Sequence, residues 1–156
     1  MAGRRLTGIT AERGLPPRLG AVVDGDGVHF SIVSRHADRM ELCLFEGGMT
    51  RENRRLVLPG RQGDVFFGFV PGLQAGALYG YRAYGPWEPA NGHRFDPSKL
   101  LVDPYAIALD RPYAYDPRLS APPDAAVDTA SLVPRAIVTE LPLDATPMPP
   151  LSLIHI

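Results

Sequence analysis

Four carboxylates fall within one stretch: Glu88, then Asp96, Asp103 and Asp110 at intervals of seven. Two carboxyl groups held about 5 to 9.5 Å apart can cleave a glycosidic bond, one as acid and the other as base or nucleophile. Asp96 and Asp103 each precede a proline, however, and Asp in that setting is ordinarily a turn former whose side chain caps nearby backbone N–H groups. Immediately upstream lies YGYRAYGPW, residues 79–87, with three tyrosines and the only tryptophan of the chain. An aromatic face stacks on the apolar C–H face of a glucose ring while polar neighbours bond its hydroxyls. Trp87 with Tyr84 can supply the stacking surface, and Arg82, Glu88, Asn91 or Asp96 the hydrogen bonds. The alternative is that Trp87 docks its loop on the body of the domain or on a following one. Tyr79 and Tyr81 read as core.

Other chemistries lack their residues. There is no phosphate-binding loop, no HExxH, no GxSxG, no cysteine pair and no GxGxxG after a strand. His29, in the middle of VHFSIVS, reads as a solvent-facing strand residue, and His36 lies in a turn. No catalytic residue, metal or cofactor is assigned. Cys43 is the sole cysteine, so no internal disulfide is expected; its place in MELCLF predicts a buried, inert thiol. A formal net charge of -1 gives no reason to expect nucleic acid or an anionic membrane as partner. The first twenty residues contain no apolar signal core, and no stretch approaches the ~20 apolar residues of a membrane span. A cytoplasmic location is expected.

The elements that must position these residues are short strands. At 156 residues the chain suits one domain with tails, and 16 glycines and 17 prolines imply many turns. Residues 1–18 read as an extended leader. Asp-Gly-Asp-Gly between LGAVV and VHFSIVS predicts a hairpin. In RMELCLFE, Met40, Leu42 and Leu44 share one face with Glu41 and Cys43 opposite; in VFFGFVPG, Phe67 and Phe69 share a side. ALYGYRAYG sets Tyr79, Tyr81 and Ala83 against Leu78, Arg82 and Tyr84. Runs recurring every ten to twelve residues predict an all-β sandwich. Residues 85–110 read as ordered irregular chain, 118–129 as a surface excursion, and SLVPRAIV as one last short strand. Residues 139–150, with their prolines, read as a linker. Residues 151–156, LSLIHI, read as the translation of a transposon-end sequencing adapter, so the natural chain is expected to continue differently.

The combination GVHFSIVSRHADRMELCLFE, LPG-x-x-GDVFFGFVPGL, GxxYGYRAYGPW and GHRFDPSKLLVDPYA resembles the N-terminal domain of bacterial glycogen debranching enzymes of the isoamylase type. Such domains belong to carbohydrate-binding module family 48 and their parents to glycoside hydrolase family 13. The likeness covers about residues 15–138. It implies an immunoglobulin-like β-sandwich of about seven strands, here over residues 19–138 with a long loop-rich C-terminal extension. A β/α barrel carrying the catalytic carboxylates would follow. No position of this chain matches those carboxylates. The resemblance thus implies a fragment of an enzyme that hydrolyses α-1,6 branches of glycogen, inactive alone, packing on the missing barrel. The alternative it leaves is an autonomous glycogen- or starch-binding module.

Overall fold

The computed structural model describes residues 8–141. The first residues of the leader, almost all of the linker and the LSLIHI tail lie outside them. Strands β1 (Gly20–Asp24), β2 (Gly27–Val33), β3 (Arg39–Phe45), β4 (Arg54–Val57), β5 (Gly60–Gln62), β6 (Val65–Pro71) and β7 (Leu78–Tyr84) build the body. Short pieces follow: β8 (Trp87–Glu88), β9 (His93–Arg94), β10 (Ala108–Leu109) and β11 (Ala136–Ile137). One antiparallel sheet has the order β1-β2-β6-β5 and the other β10-β11-β7-β3-β4, while β8 and β9 form a separate ribbon. Among the described residues there is no α-helix, only 3₁₀ turns. The fold is an all-β, immunoglobulin-like sandwich.

Alternation builds its interior. Val28, Phe30 and Ile32 of β2 and Phe66 and Val70 of β6 face Met40, Leu42 and Leu44 of β3 and Tyr79, Tyr81 and Ala83 of β7. Successive side chains of a strand point to opposite faces, so each strand contributes every second residue. The β1–β2 hairpin turns through Gly25 and Asp26, with Asp24 paired to Gly27. Gly25 takes φ +47°, a conformation that glycine adopts without steric cost.

Two expectations are corrected. Residues 9–18 are more than a leader, because β5 covers only the first part of the outer edge of β6. Thr10 takes the next place, exchanging hydrogen bonds of 2.9 and 2.8 Å with Phe69. Ile9 fills the space over Gly68, where a Cβ would come within 2.5 Å of its Cδ1. Nor is His29 exposed. It is buried, bonded to Asp24 at 3.0 Å and packed on the ring of Phe69, whose other partner is the Arg13 guanidinium. The outer face of β2 is covered, so polarity of residue type misreports exposure there.

The loop-rich extension covers the outer face of the second sheet. Leu100, Ala130 and Val133 pack on Cys43 and Phe45, which point away from the sandwich interior. Burial pushes the Cys43 thiol pKa up to about 12. The excursion at 118–129 alternates between exposed and half-buried positions before it returns inward at Thr129, whose hydroxyl accepts the Leu100 N–H at 2.8 Å. The last short strand is present as β11, paired with Leu78 and Tyr79 of β7.

Candidate functional site

The motif YGYRAYGPW is strand β7 with the turn that leaves it, and its residues alternate between two tasks. Tyr79 and Tyr81 point inward. The Tyr79 hydroxyl donates to Asp103 at 2.6 Å, while the Tyr81 hydroxyl, fully buried, has no hydrogen-bond partner. Burial raises the pKa of both phenols, and the Asp103 carboxylate raises both further. Between them Gly80 leaves room for Leu100, whose Cδ1 would lie 2.9 Å from an added Cβ; Gly85 does the same for the ring of Phe95.

Arg82 points outward from the sheet but not into solvent. It is completely buried beneath the extension, and every one of its donors is used. Nε and Nη2 donate to the two oxygens of Glu52 at 2.7 and 3.1 Å, Nη1 to the Pro97 and Ser98 carbonyls at 3.0 Å each, and Nη2 also to Asp128 at 2.9 Å. Burial alone would lower the Arg82 pKa and raise those of Glu52 and Asp128. Their mutual bonds outweigh it, holding the arginine charged and both carboxylates below their ordinary range. Arg82 therefore has no donor left for a sugar hydroxyl, which corrects its expected role.

Asp96 is likewise committed. Its Oδ1 accepts from the Ser98 N–H at 3.0 Å and hydroxyl at 2.6 Å, and its Oδ2 from Lys99 Nζ at 2.9 Å. Asp103 accepts the Tyr105 N–H at 2.9 Å besides the Tyr79 hydroxyl, and Asp110 accepts the backbone and Nε of Arg135 at 2.7 and 2.8 Å. Glu88 bonds Asn91 on the surface. The acidic series is thus a set of turn and brace residues, with no pair facing a common space. Burial raises the Asp103 pKa despite its two donors.

Trp87 stands elsewhere. With Glu88 it forms one side of the β8–β9 ribbon, opposite Arg94 and joined through a turn at Pro89–Asn91 that Gly92 closes at φ +80°. It is 42% exposed and walls a cleft of about 250 Å³ with Arg94, Lys99 and the turn at Leu119 and Ser120. A groove of about 670 Å³ shares Arg94, Asp96, Lys99 and Leu119 with this cleft and continues to Leu101, Val102 and Pro104. Tyr84 does not join it. Its ring lies under the Arg39 guanidinium at 3.9 Å and its hydroxyl donates to Glu41 at 3.3 Å. The structure thus brings Trp87 and Asp96 to one cleft, leaves Tyr84 beside Arg39, and buries Arg82. Sequence reasoning missed Arg94, which enters only through pairing across the ribbon, and Glu52 and Asp128, which are remote in sequence from the arginine they hold. Among the described residues no cluster of three or more metal-ligating side chains occurs, and no helix is long and apolar enough to cross a membrane.

Residues 18–106 match carbohydrate-binding module 48, the isoamylase N-terminal domain. The chain belongs to this family. The module is 46% identical over 132 residues to a glycogen debranching enzyme of Yersinia enterocolitica, a match covering 83% of this chain and 20% of that protein. It thus spans about a fifth of the length of the curated relative. Among solved structures the module resembles the catalytic module of the multi-modular glycogen-degrading pneumococcal virulence factor SpuA, with a TM-score of 0.56 at 16% identity, over 80% of this chain and 17% of that one. The pullulanase from Bacillus acidopullulyticus aligns with a TM-score of 0.50 at 18% identity, over 79% of this chain and 12% of that one. These likenesses show the fold of the module.

Proposed function

We propose that this chain is the N-terminal module of a glycogen debranching enzyme, and that it holds in place a separate catalytic part which hydrolyses α-1,6-glucosidic branches. The observation that carries the reading is the 46% identity to a glycogen debranching enzyme across 83% of the chain. The commitment of Asp96, Asp103 and Asp110 to turns and braces agrees with it, because a retaining or inverting hydrolase needs two free carboxyl groups around a sugar. Catalysis then belongs to the longer polypeptide, and a cytoplasmic location goes with intracellular glycogen as substrate. Incubation with glycogen or a limit dextrin tests this: the longer protein releases linear maltooligosaccharides and the 156-residue chain releases none. Turnover by the short chain would sink the proposal.

A second reading has its own observation. Trp87 is 42% exposed at the wall of a cleft, opposite the exposed Arg94. One glucosyl unit can stack on the indole and bond the guanidinium. Affinity electrophoresis in glycogen gels decides it: retardation abolished by Trp87→Ala supports glucan contact, and wild-type migration unaltered by glycogen refutes it.

A further inference from the structure

Residues 105–110 alternate strictly between exposed and half-buried, with the usual polarity reversed. The exposed positions are Tyr105, Ile107 and Leu109; the inward ones are Ala106, Ala108 and Asp110. Ordinarily the solvent side of an edge strand carries polar or charged residues, which keep it from pairing with other chains. Here Tyr105 is 45%, Ile107 56% and Leu109 42% exposed, and further along the chain Tyr113 and Tyr115 are 63% and 74% exposed. The charged side chains within 103–111 are all bonded to the module, although Arg111 stays exposed. Asp103 holds Tyr79, Asp110 holds Arg135, and Arg111 donates to the Ser131 and Val133 carbonyls at 3.1 and 2.7 Å. An aromatic, apolar surface rimmed by a single cation already bonded to carbonyls has the composition of a protein interface core.

Two facts point to the occupant. The module matches only 20% of the length of its debranching relative, so most of such a protein lies outside it. Furthermore, β10 is the outermost strand of its sheet and pairs with β11, the last strand of the module, through Ala108–Ile137 and Leu109–Ala136. Strand β11 lies between β10 and β7, and Val138 continues along β7 through its N–H to Ala77, so the chain leaves the sheet at the strand beside these exposed residues. From these observations we infer that the edge formed by Tyr105, Ile107, Leu109, Tyr113 and Tyr115 is the surface on which the catalytic part of the same polypeptide docks. The inference rests on the debranching reading and names the face that reading requires.

Hydroxyl-radical footprinting of the three tyrosines tests it, comparing the 156-residue chain with the longer protein. Oxidation of Tyr113 and Tyr115 is expected to fall by about tenfold in the longer protein, as solvent is excluded from an interface core. Equal oxidation in both overturns the inference. So does protection in the short chain that grows with its concentration, which would mean a second copy, or protection that appears only on adding maltoheptaose, which would mean a glucan. In the longer protein, Tyr113→Glu with Tyr115→Glu should restore oxidation at Tyr105; unchanged protection there counts against the inference. Both positions are well exposed in the module, so its own melting transition serves as the folding control. A longer protein that debranches glycogen with its tyrosines unprotected refutes this surface and leaves the function standing. Protected tyrosines without debranching do the reverse.

Discussion

Two apolar clusters flank strands β3 and β7, and they are closed by different physics. The interior cluster needs only strands: Leu42 and Tyr81 meet Phe30 and Val70 because alternation sends them there. The outer cluster is made where Leu100, Ala130 and Val133 lie on Cys43 and Phe45 without regular partners of their own. Irregular chain cannot satisfy its backbone through a ladder, so here it is fastened by directional bonds. Arg82 gathers Glu52, two carbonyls of the extension and Asp128 around one guanidinium. The lesson is that one face of β7 is held by area and the other by charge and geometry.

The largest test of this contrast is Arg82→Met. Removing the cation leaves Glu52 with Arg55 alone and Asp128 with the Ala130 N–H alone, at a cost of about 3–5 kcal/mol. Urea unfolding should register that loss, and hydrogen exchange should rise over residues 96–133 while β2 and β6 remain protected. Exchange rising equally in both regions would show that the two clusters are one cooperative unit. Next in size is Tyr79→Phe, which deletes the 2.6 Å bond to Asp103 and leaves a buried carboxylate short of a donor, for a loss of about 1–3 kcal/mol in the same denaturant titration.

Acid should separate the regions more gently. Glu52, Asp96 and Asp128 have folded pKa values below their unfolded ones. Their contribution is complete above the unfolded values and is lost as pH falls through the folded values. Below about pH 4 the extension is therefore expected to loosen first, read as exchange over 96–133 or as a shift in Trp87 fluorescence. Asp103 has the opposite sign: its raised value means that its contribution is complete below the unfolded value and declines as pH rises through the folded one. Asp103→Asn should thus remove the decline in stability above about pH 4 that the Tyr79–Asp103 pair contributes; an unchanged profile would discount that contribution. The smallest effect is expected of Tyr81→Phe. Its hydroxyl has no partner, so removal should be neutral or slightly stabilising in urea, and a loss comparable to that of Tyr79→Phe would reveal a bond that the geometry does not contain.

Much of this was legible beforehand because it depends on neighbours in sequence. The Asp-Gly hairpin, the facing of Met40, Leu42 and Leu44, the inward tyrosines, the buried Cys43 and the Asp-Pro turns each follow from a period of two or from local side-chain capping. What was misread depends on which segment covers which face. His29 is buried because an N-terminal segment lies beside β6, and Arg82 is inaccessible because the extension folds over it. Alternation reports two faces of a strand without saying whether one of them meets water.

By itself, the order of residues determined that this chain is a β-sandwich of the carbohydrate-binding module family, since pattern and motif spacing are local properties. The tertiary structure alone decided that the lone arginine of YGYRAYGPW is a buried fastener, that Trp87 walls a cleft with Arg94, and that Tyr105, Ile107 and Leu109 are exposed at the sheet edge. Those outcomes rest on contacts between residues tens of positions apart, which no local pattern encodes.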